Sequence, residues 1–319
     1  MTPADAPVTA TSEPWPELPF AAWQQTCETL HLWTQIVGKT RLALAPMQNH
    51  WWQVTLYVNA RGLTTSAMPL GGRTLDVTFD FIAHELVLRT SDGDARSLPL
   101  RPQSVARFHA DYLAALRALG CTPRMHPVPV ELPSVIPFAQ DERHAQYDPA
   151  AAQRWWRVLC NVERVLAVFR GRFLGKASPV HFFWGSFDLA ATRFSGRPAP
   201  QHPGGAPNCP DWVMVEAYSH ECSSAGFWPG GGPVQEAAFY SYAYPEPEGF
   251  AAWHVSPAAA FYDTQAREFI LPYEAVRTAP QPDAALLQFL ESTYEAAAEL
   301  AQWDRGALER PRGWRGPAG

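Results

Sequence analysis

The chain lacks the features that would tie it to a disulfide framework, a membrane or a nucleic acid. Its five cysteines (Cys27, Cys121, Cys160, Cys209, Cys222) are odd in number and widely spaced, and no Cys-x-x-Cys occurs. That excludes a stapled mini-domain and argues against a structural zinc site. Nowhere do about 18 apolar residues run without interruption, and the first twenty residues carry neither a basic n-region nor an apolar h-region. A cytoplasmic, reduced protein that makes no membrane contact is therefore expected. Lys and Arg number 25 against 31 Asp and Glu, for a net charge of −6. Such a balance leaves no basic surface for a nucleic acid or an anionic bilayer. Charge is sparse overall: 18% against 47% hydrophobic residues, where about 25% charged is usual. Disorder is expected only at the ends.

What the chain has in abundance is aromatic side chains and proline. Thirteen Trp, ten Tyr and 17 Phe fit either a dense aromatic core or an aromatic-lined ligand cavity. The 31 prolines mark strand ends and ordered loops.

Residues 1–15 read as a disordered leader and 305–319 as a frayed tail. A first α+β half spans 16–120, a proline-rich connector 121–148, and a second α+β half 149–304. The first half opens with a helix over about 20–36, placing Trp23, Cys27, Leu30 and Thr34 on one side. NHWWQVTLYVNARGL, RTLDVTFDF and HELVLRTSDG alternate as antiparallel strands, and RPQSVARFHADYLAALRALG closes the half as a helix ending at Gly120. In the second half Asp148-Pro149 starts a helix to about Arg172. VHFFWGSFDLAATRF, AAFYSYAY and REFILPY are strands, and 283–303 is a helix. Trp52 to Arg61 and Trp184 to Arg193 share a nine-residue spacing, and each Trp follows a Gly-Lys pair. The fold class is thus α+β, two similar α-β-β-β-α halves in one compact body. The likeness reflects either an internal duplication or the general sameness of strands and helices. The second copy is longer by an insertion over 195–260, where function is expected to concentrate.

The block from Lys176 to Gly232 sets His181, Asp188, Arg193, His202, Glu216, His220, Glu221 and Cys222 among apolar neighbours. Polar groups in such company need partners or a task. As one regular strand, 180–193 puts His181 and Arg193 on one face and Asp188 on the other. His181 reads as a ligand or general base, or as a core histidine bonded to the backbone. PDWVMVEAYSHECSSAG reads as a helix from Pro210 to Gly226, or as a strand. On a helix Glu216 and His220 lie at i, i+4 and converge on one ion; on a strand they are roughly 13 Å apart. With His181 they form a candidate site for a divalent transition metal, non-haem iron or zinc. His181, His220 and Glu221 are the candidate catalytic groups. Arg193 is the candidate fork for a substrate anion, and Trp184, Phe227 and Trp228 the pocket walls. Gly-x-Ser-x-Gly is absent, and Gly171–Ala177 departs from a P-loop in spacing and in its final residue. A lone cysteine such as Cys222 is more often inert than nucleophilic.

The strings HLWTQIVGK (31–39), NHWW (49–52), ARGLTT (60–65), SPVHFFWGSFDLA (178–190), RFSGR (193–197), EAYSHE (216–221), SSAGFWPG (223–230) and FYSYAYPEP (239–247) resemble the hallmark strings of a bacterial family of unknown function. The resemblance runs from about Trp15 to Asp304. It implies a single integral unit and offers no catalytic residues to carry over. The functional expectation is an enzyme acting on a small molecule, in its sharpest form metal-dependent, as a monomer or homodimer. The alternatives are a non-catalytic small-molecule binding protein and a structural dimer joined through surface tryptophans.

Overall fold

A long central helix organises the molecule. The structure is a computed structural model in which residues 14–232 and 234–311 are described; most of the expected leader and the last residues of the expected tail lie outside them. α1 (Gln24–Leu44) runs eight residues beyond its expected end at 36. Its residues from Leu32 to Arg41 are all buried. A helix wrapped on every side keeps no polar stripe, so its sequence loses the amphipathic period that would mark its extent. Trp15, expected in the leader, is instead buried, and its indole donates to Asp283 (3.1 Å).

The segment after α1 turns rather than extending as a strand. Asn49–Val54 forms a tight 3-10 turn, with His50 and Trp51 both left-handed (φ 57° and 61°). The first sheet then contains β1 (Tyr57–Val58), β2 (Gly62–Thr64), β3 (Met68–Leu70), β4 (Arg73–Asp80), β5 (Glu85–Thr90) and β6 (Ala95–Pro99), all antiparallel. Leu75, Val77 and Phe79 on β4 face Leu86 and Leu88 on β5, all fully buried, as period-2 alternation requires. α2 (Val105–Ala118) is capped by Ser104 and stops at Gly120, whose φ of 72° suits glycine.

The connector 121–148 carries little regular structure but is pinned by the helix beside it. Gln35 on α1 donates from Nε2 to the Val130 carbonyl and accepts from the Val130 amide, both at 2.9 Å. α3 (Pro149–Gly171) follows, its first amides capped by Asp148 as the sequence signals.

The second sheet has the order β11-β12-β10-β9-β8-β7. Its strands are β7 (His181–Phe183), β8 (Asp188–Pro198), β9 (His220–Trp228), β10 (Ala238–Tyr244), β11 (Phe261–Asp263) and β12 (Glu268–Pro272). Three expectations change here. First, 180–193 is not one strand: Trp184–Phe187 is a hairpin turn, so Phe183 pairs with Asp188 and His181 with Ala190. Directly paired residues share a face, which puts His181 and Asp188 on the same side and Arg193 on the other. Second, the expected helix to Gly226 ends at Ala217: α4 (Asp211–Ala217) gives way to β9, and Gly226 lies mid-strand. A chain that must supply a central strand overrides the local helical pattern. Third, the 195–260 region is not an insertion beside the scaffold, because it holds β9 and β10 at the centre of the sheet.

α5 (Tyr273–Arg277), α6 (Pro282–Leu300) and α7 (Arg305–Leu308) complete the described chain. The beginning of the expected frayed tail is tied down: Leu174 donates to the Leu308 carbonyl at 2.6 Å and Arg310 to that of Arg172 at 3.0 Å. One apolar cluster runs through both halves, from Leu30 and Phe79 to Phe227 and Leu290. The repeated spacing falls on unlike positions. Trp52 lies in the turn before β1 and Trp184 in the β7–β8 hairpin; Arg61 precedes β2, whereas Arg193 is inside β8.

Candidate functional site

The residues expected to form the site are dispersed by the fold. His181 is completely buried and sits among Trp52, Tyr57 and Phe183. Burial first, then the Arg41 and Arg170 charges, lowers its pKa to about 3. This is a core histidine, neutral at any physiological pH. Glu216, at the last turn of α4, accepts the His50 amide (3.1 Å) rather than converging with His220 on an ion. His220 lies edge-on to the His50 ring, centroids 5.8 Å apart. Among the described residues no group of three or more His, Cys, Asp or Glu is placed to hold a metal ion, so His181, Glu216 and His220 are not a ligand set.

His50 holds this region together. Its Nδ1 faces the Ala217 carbonyl (2.9 Å), which can only accept, so Nδ1 carries the proton. Nε2 then accepts from the Lys176 ammonium (2.6 Å), which also lies over the Trp52 and Phe194 rings. The arrangement fixes the left-handed NHWW turn against α4 and β9. Glu221, the expected acid, accepts from Ser195 Oγ (2.9 Å) and Arg197 Nε (2.8 Å) at the surface. Cys222 is buried, which pushes its thiol up to about 12 and leaves it un-ionised.

Arg193 and two of the three expected walls are scaffold. The Arg193 guanidinium stacks on Phe169 (3.4 Å to the ring centroid) and Tyr294 (4.3 Å), and donates to the Phe169 carbonyl and to Glu291. Its fork joins β8 to α3 and α6. Trp184 donates to the Val54 carbonyl (2.7 Å) and packs flat on Gly38, where a Cβ would overlap the indole. Phe227 is fully buried against Phe239 and Tyr273.

The third wall, Trp228, does line a cavity, and this cavity is the candidate site. It encloses about 830 Å³ between the first half of α1, connector residues 129–144, the 185–187 turn and the 228–235 loop. Phe20, Phe187 and Trp228 form apolar walls, while Glu131, Ser186 and His31 present polar groups. Glu28, Asp141, Arg143 and His144 add charged or polar edges, and a cavity of this size and mixed lining suits a small organic ligand.

Glu131 sits at the floor of this cavity through several constraints acting together. Gln35 clamps the preceding residue, and the Glu131 amide donates to the Pro207 carbonyl (2.8 Å). Its backbone is left-handed (φ 58°), a conformation costing a non-glycine residue about 1–2 kcal/mol. Its carboxyl rests against Gly185, where any Cβ would overlap Oε1. Behind it, Asp188 is 4% exposed and accepts from the Ser186 and Tyr240 hydroxyls.

The electrostatics follow from that burial. Glu131 is raised to about 7, chiefly by desolvation and then by the Asp188 charge. Asp188 is raised to about 6 by burial, held back by its two hydroxyl donors. Glu268, on β12, is raised to about 8 by burial and then by Asp188 and Asp263. Burial first, and the Asp188 charge second, raise both Glu131 and Glu268 into the neutral range. His31 donates from Nε2 to the Gly185 carbonyl (2.8 Å) and stacks on Phe187 (4.9 Å). Burial lowers it to about 4, with the Gly185 and Trp184 carbonyls acting weakly the other way, so it is neutral. The site thus holds a proton donor and a neutral imidazole beside apolar walls.

Glu131 was missed because it lies in the proline-rich connector. One signal was present: it is the sole acid between Cys121 and Gln140, amid Pro, Val, Leu and Ile.

A model of a family of unknown function, DUF5996, matches residues 15–310. No curated protein and no solved structure matches the chain.

Proposed function

Because the chain belongs to the DUF5996 family, whose function is unknown, we propose its function from the geometry of the site: it binds a small organic molecule in the 830 Å³ cavity and transfers a proton to or from it through Glu131. The observation that carries this reading is a cavity-facing carboxyl raised to about 7. A group with a pKa near the working pH serves as both acid and base. Pairs of titratable groups whose environments separate their pKa values characterise acid–base sites. Glu131 is the general acid or base, and Asp188 behind it tunes the proton. Phe187 and Trp228 flank the ligand's apolar part. A non-catalytic binder would use the same walls without turnover.

The test is a ligand-observed NMR screen with small neutral heterocycles and carbonyl compounds. A side chain at Gly232 meets no atom within 4 Å and stands at the cavity wall, so Gly232→Trp is expected to block the cavity. Hits should bind the natural chain and disappear in that variant. Undiminished binding to Gly232→Trp would place the ligands elsewhere and sink the proposal.

A further inference from the structure

Lys39 lies two turns beyond His31 on the same stripe of α1, and it is unlike the chain's other lysine near rings, Lys176. It is only 3% exposed. Among the described residues its ammonium has no hydrogen bond and no ion pair; its nearest electron-rich partners are the Trp184 and Phe138 rings, 5.8 and 6.0 Å away. Those separations lie at the limit of a useful cation–π contact. A desolvated cation in that state lacks a counter-charge.

Lys39 lines a chamber of its own, separate from the Glu131 cavity. The chamber encloses about 150 Å³, room for a body of roughly benzene's size. Ile36, Leu113, Pro123 and Phe138 make its apolar walls, and His109 and His126 add polar edges. Among the described residues no carboxylate lines it. We propose that this chamber binds a small organic carboxylate, its anionic head on Lys39 and its apolar tail against Ile36, Leu113 and Phe138. An uncharged guest would leave the cation unanswered, and an inorganic anion would leave the apolar walls empty.

Burial depresses Lys39 to about 8, with Cys209 nearby acting weakly the other way. The charged form is therefore lost as pH rises through about 8, and carboxylate binding should be lost with it. His109, from α2, is lowered by burial alone and is neutral in that range. Cys209 is raised to about 11 and stays a thiol. His126, from the connector, faces the same chamber, and the comparison with Lys39→Met separates its contribution from that of Lys39.

The experiment is calorimetric titration of the natural chain and of Lys39→Met with sodium butyrate and sodium benzoate, with n-butanol and inorganic phosphate as controls. Saturable binding of a carboxylate at about pH 7 is expected, weakened at least about tenfold in Lys39→Met and at about pH 9.5 in the natural chain. Binding that is equal in Lys39→Met, or unchanged by pH, overturns the assignment. So does n-butanol binding as well as butyrate, phosphate binding as tightly as either acid, or no saturable binding at all. The pH arm uses only the natural chain and so reads out regardless of how the variant folds. The Glu131 cavity plays no part in it.

Discussion

Replacing Glu131 by Gln is expected to stabilise the protein at pH 8 while removing its acid–base activity. The sign follows from the folded carboxyl at about 7 against its ordinary 4.5. A raised acid binds its proton more tightly in the folded chain than in the unfolded one. Stability therefore falls as pH rises between those two values, and the full cost is present above about 7. Glutamine keeps the shape and has no charge to desolvate. Its advantage over Glu131 should grow by about 1–3 kcal/mol from pH 5 to pH 8. Denaturant unfolding of both chains at the two pH values measures this directly. If the advantage is instead the same at pH 5 and pH 8, the carboxylate is already ionised at pH 5, and the acid–base reading fails. Turnover, once a substrate is in hand, should fall by roughly 10²–10⁴, the usual contribution of a general acid or base. Gaining stability while losing function marks a residue kept for its chemistry.

The second large effect concerns Arg193. Truncation to alanine removes a guanidinium stacked between Phe169 and Tyr294 and strips Glu291 of one partner. The expected loss is about 3–5 kcal/mol, typical of breaking a buried, hydrogen-bonded charge. Arg193→Met, which refills the space with an apolar chain, should cost much less, since a buried ion pair is often replaceable by packed hydrophobic atoms. Neither variant should weaken binding in the Glu131 cavity when assayed under folded conditions. Chemical denaturation and ligand titration of both variants separate the two roles. Retained stability with lost ligand binding would restore Arg193 to the substrate.

Much of the scaffold was legible because its signals are local. Ser104 and Gly120 bound α2, Asp148-Pro149 starts α3, and alternation marks β4 and β5. Where the reading failed, tertiary demands outweighed those signals. α1 is buried all round in its second half and so shows no stripe. The segment from Pro210 has helical spacing, yet the sheet takes its second part as β9. The Trp184–Phe187 turn reverses the parity of everything after it, which is why His181 and Asp188 share a face.

The site was harder to read for the same reason. Histidines and acids clustered in sequence at 176–232 are mostly bonded to the scaffold, as His50 and Arg197 show by occupying Glu216 and Glu221. The cavity draws on residues far apart in the chain: His31, Glu131, Ser186 and Trp228. Of these only Trp228 was expected at a pocket. Spacing rules detect partners within one element, whereas a carboxyl delivered by a proline-pinned connector leaves only its odd company as a trace.

Everything proposed for this cavity depends on Glu131 carrying a proton near neutrality at its floor. Carbon-13 NMR of side-chain carboxyls in glutamate-labelled protein tests it most directly, with Glu131→Gln assigning the resonance. The Glu131 signal is expected to titrate close to 7. A Glu131 signal that titrates with ordinary surface glutamates, near about 4.3, would contradict it.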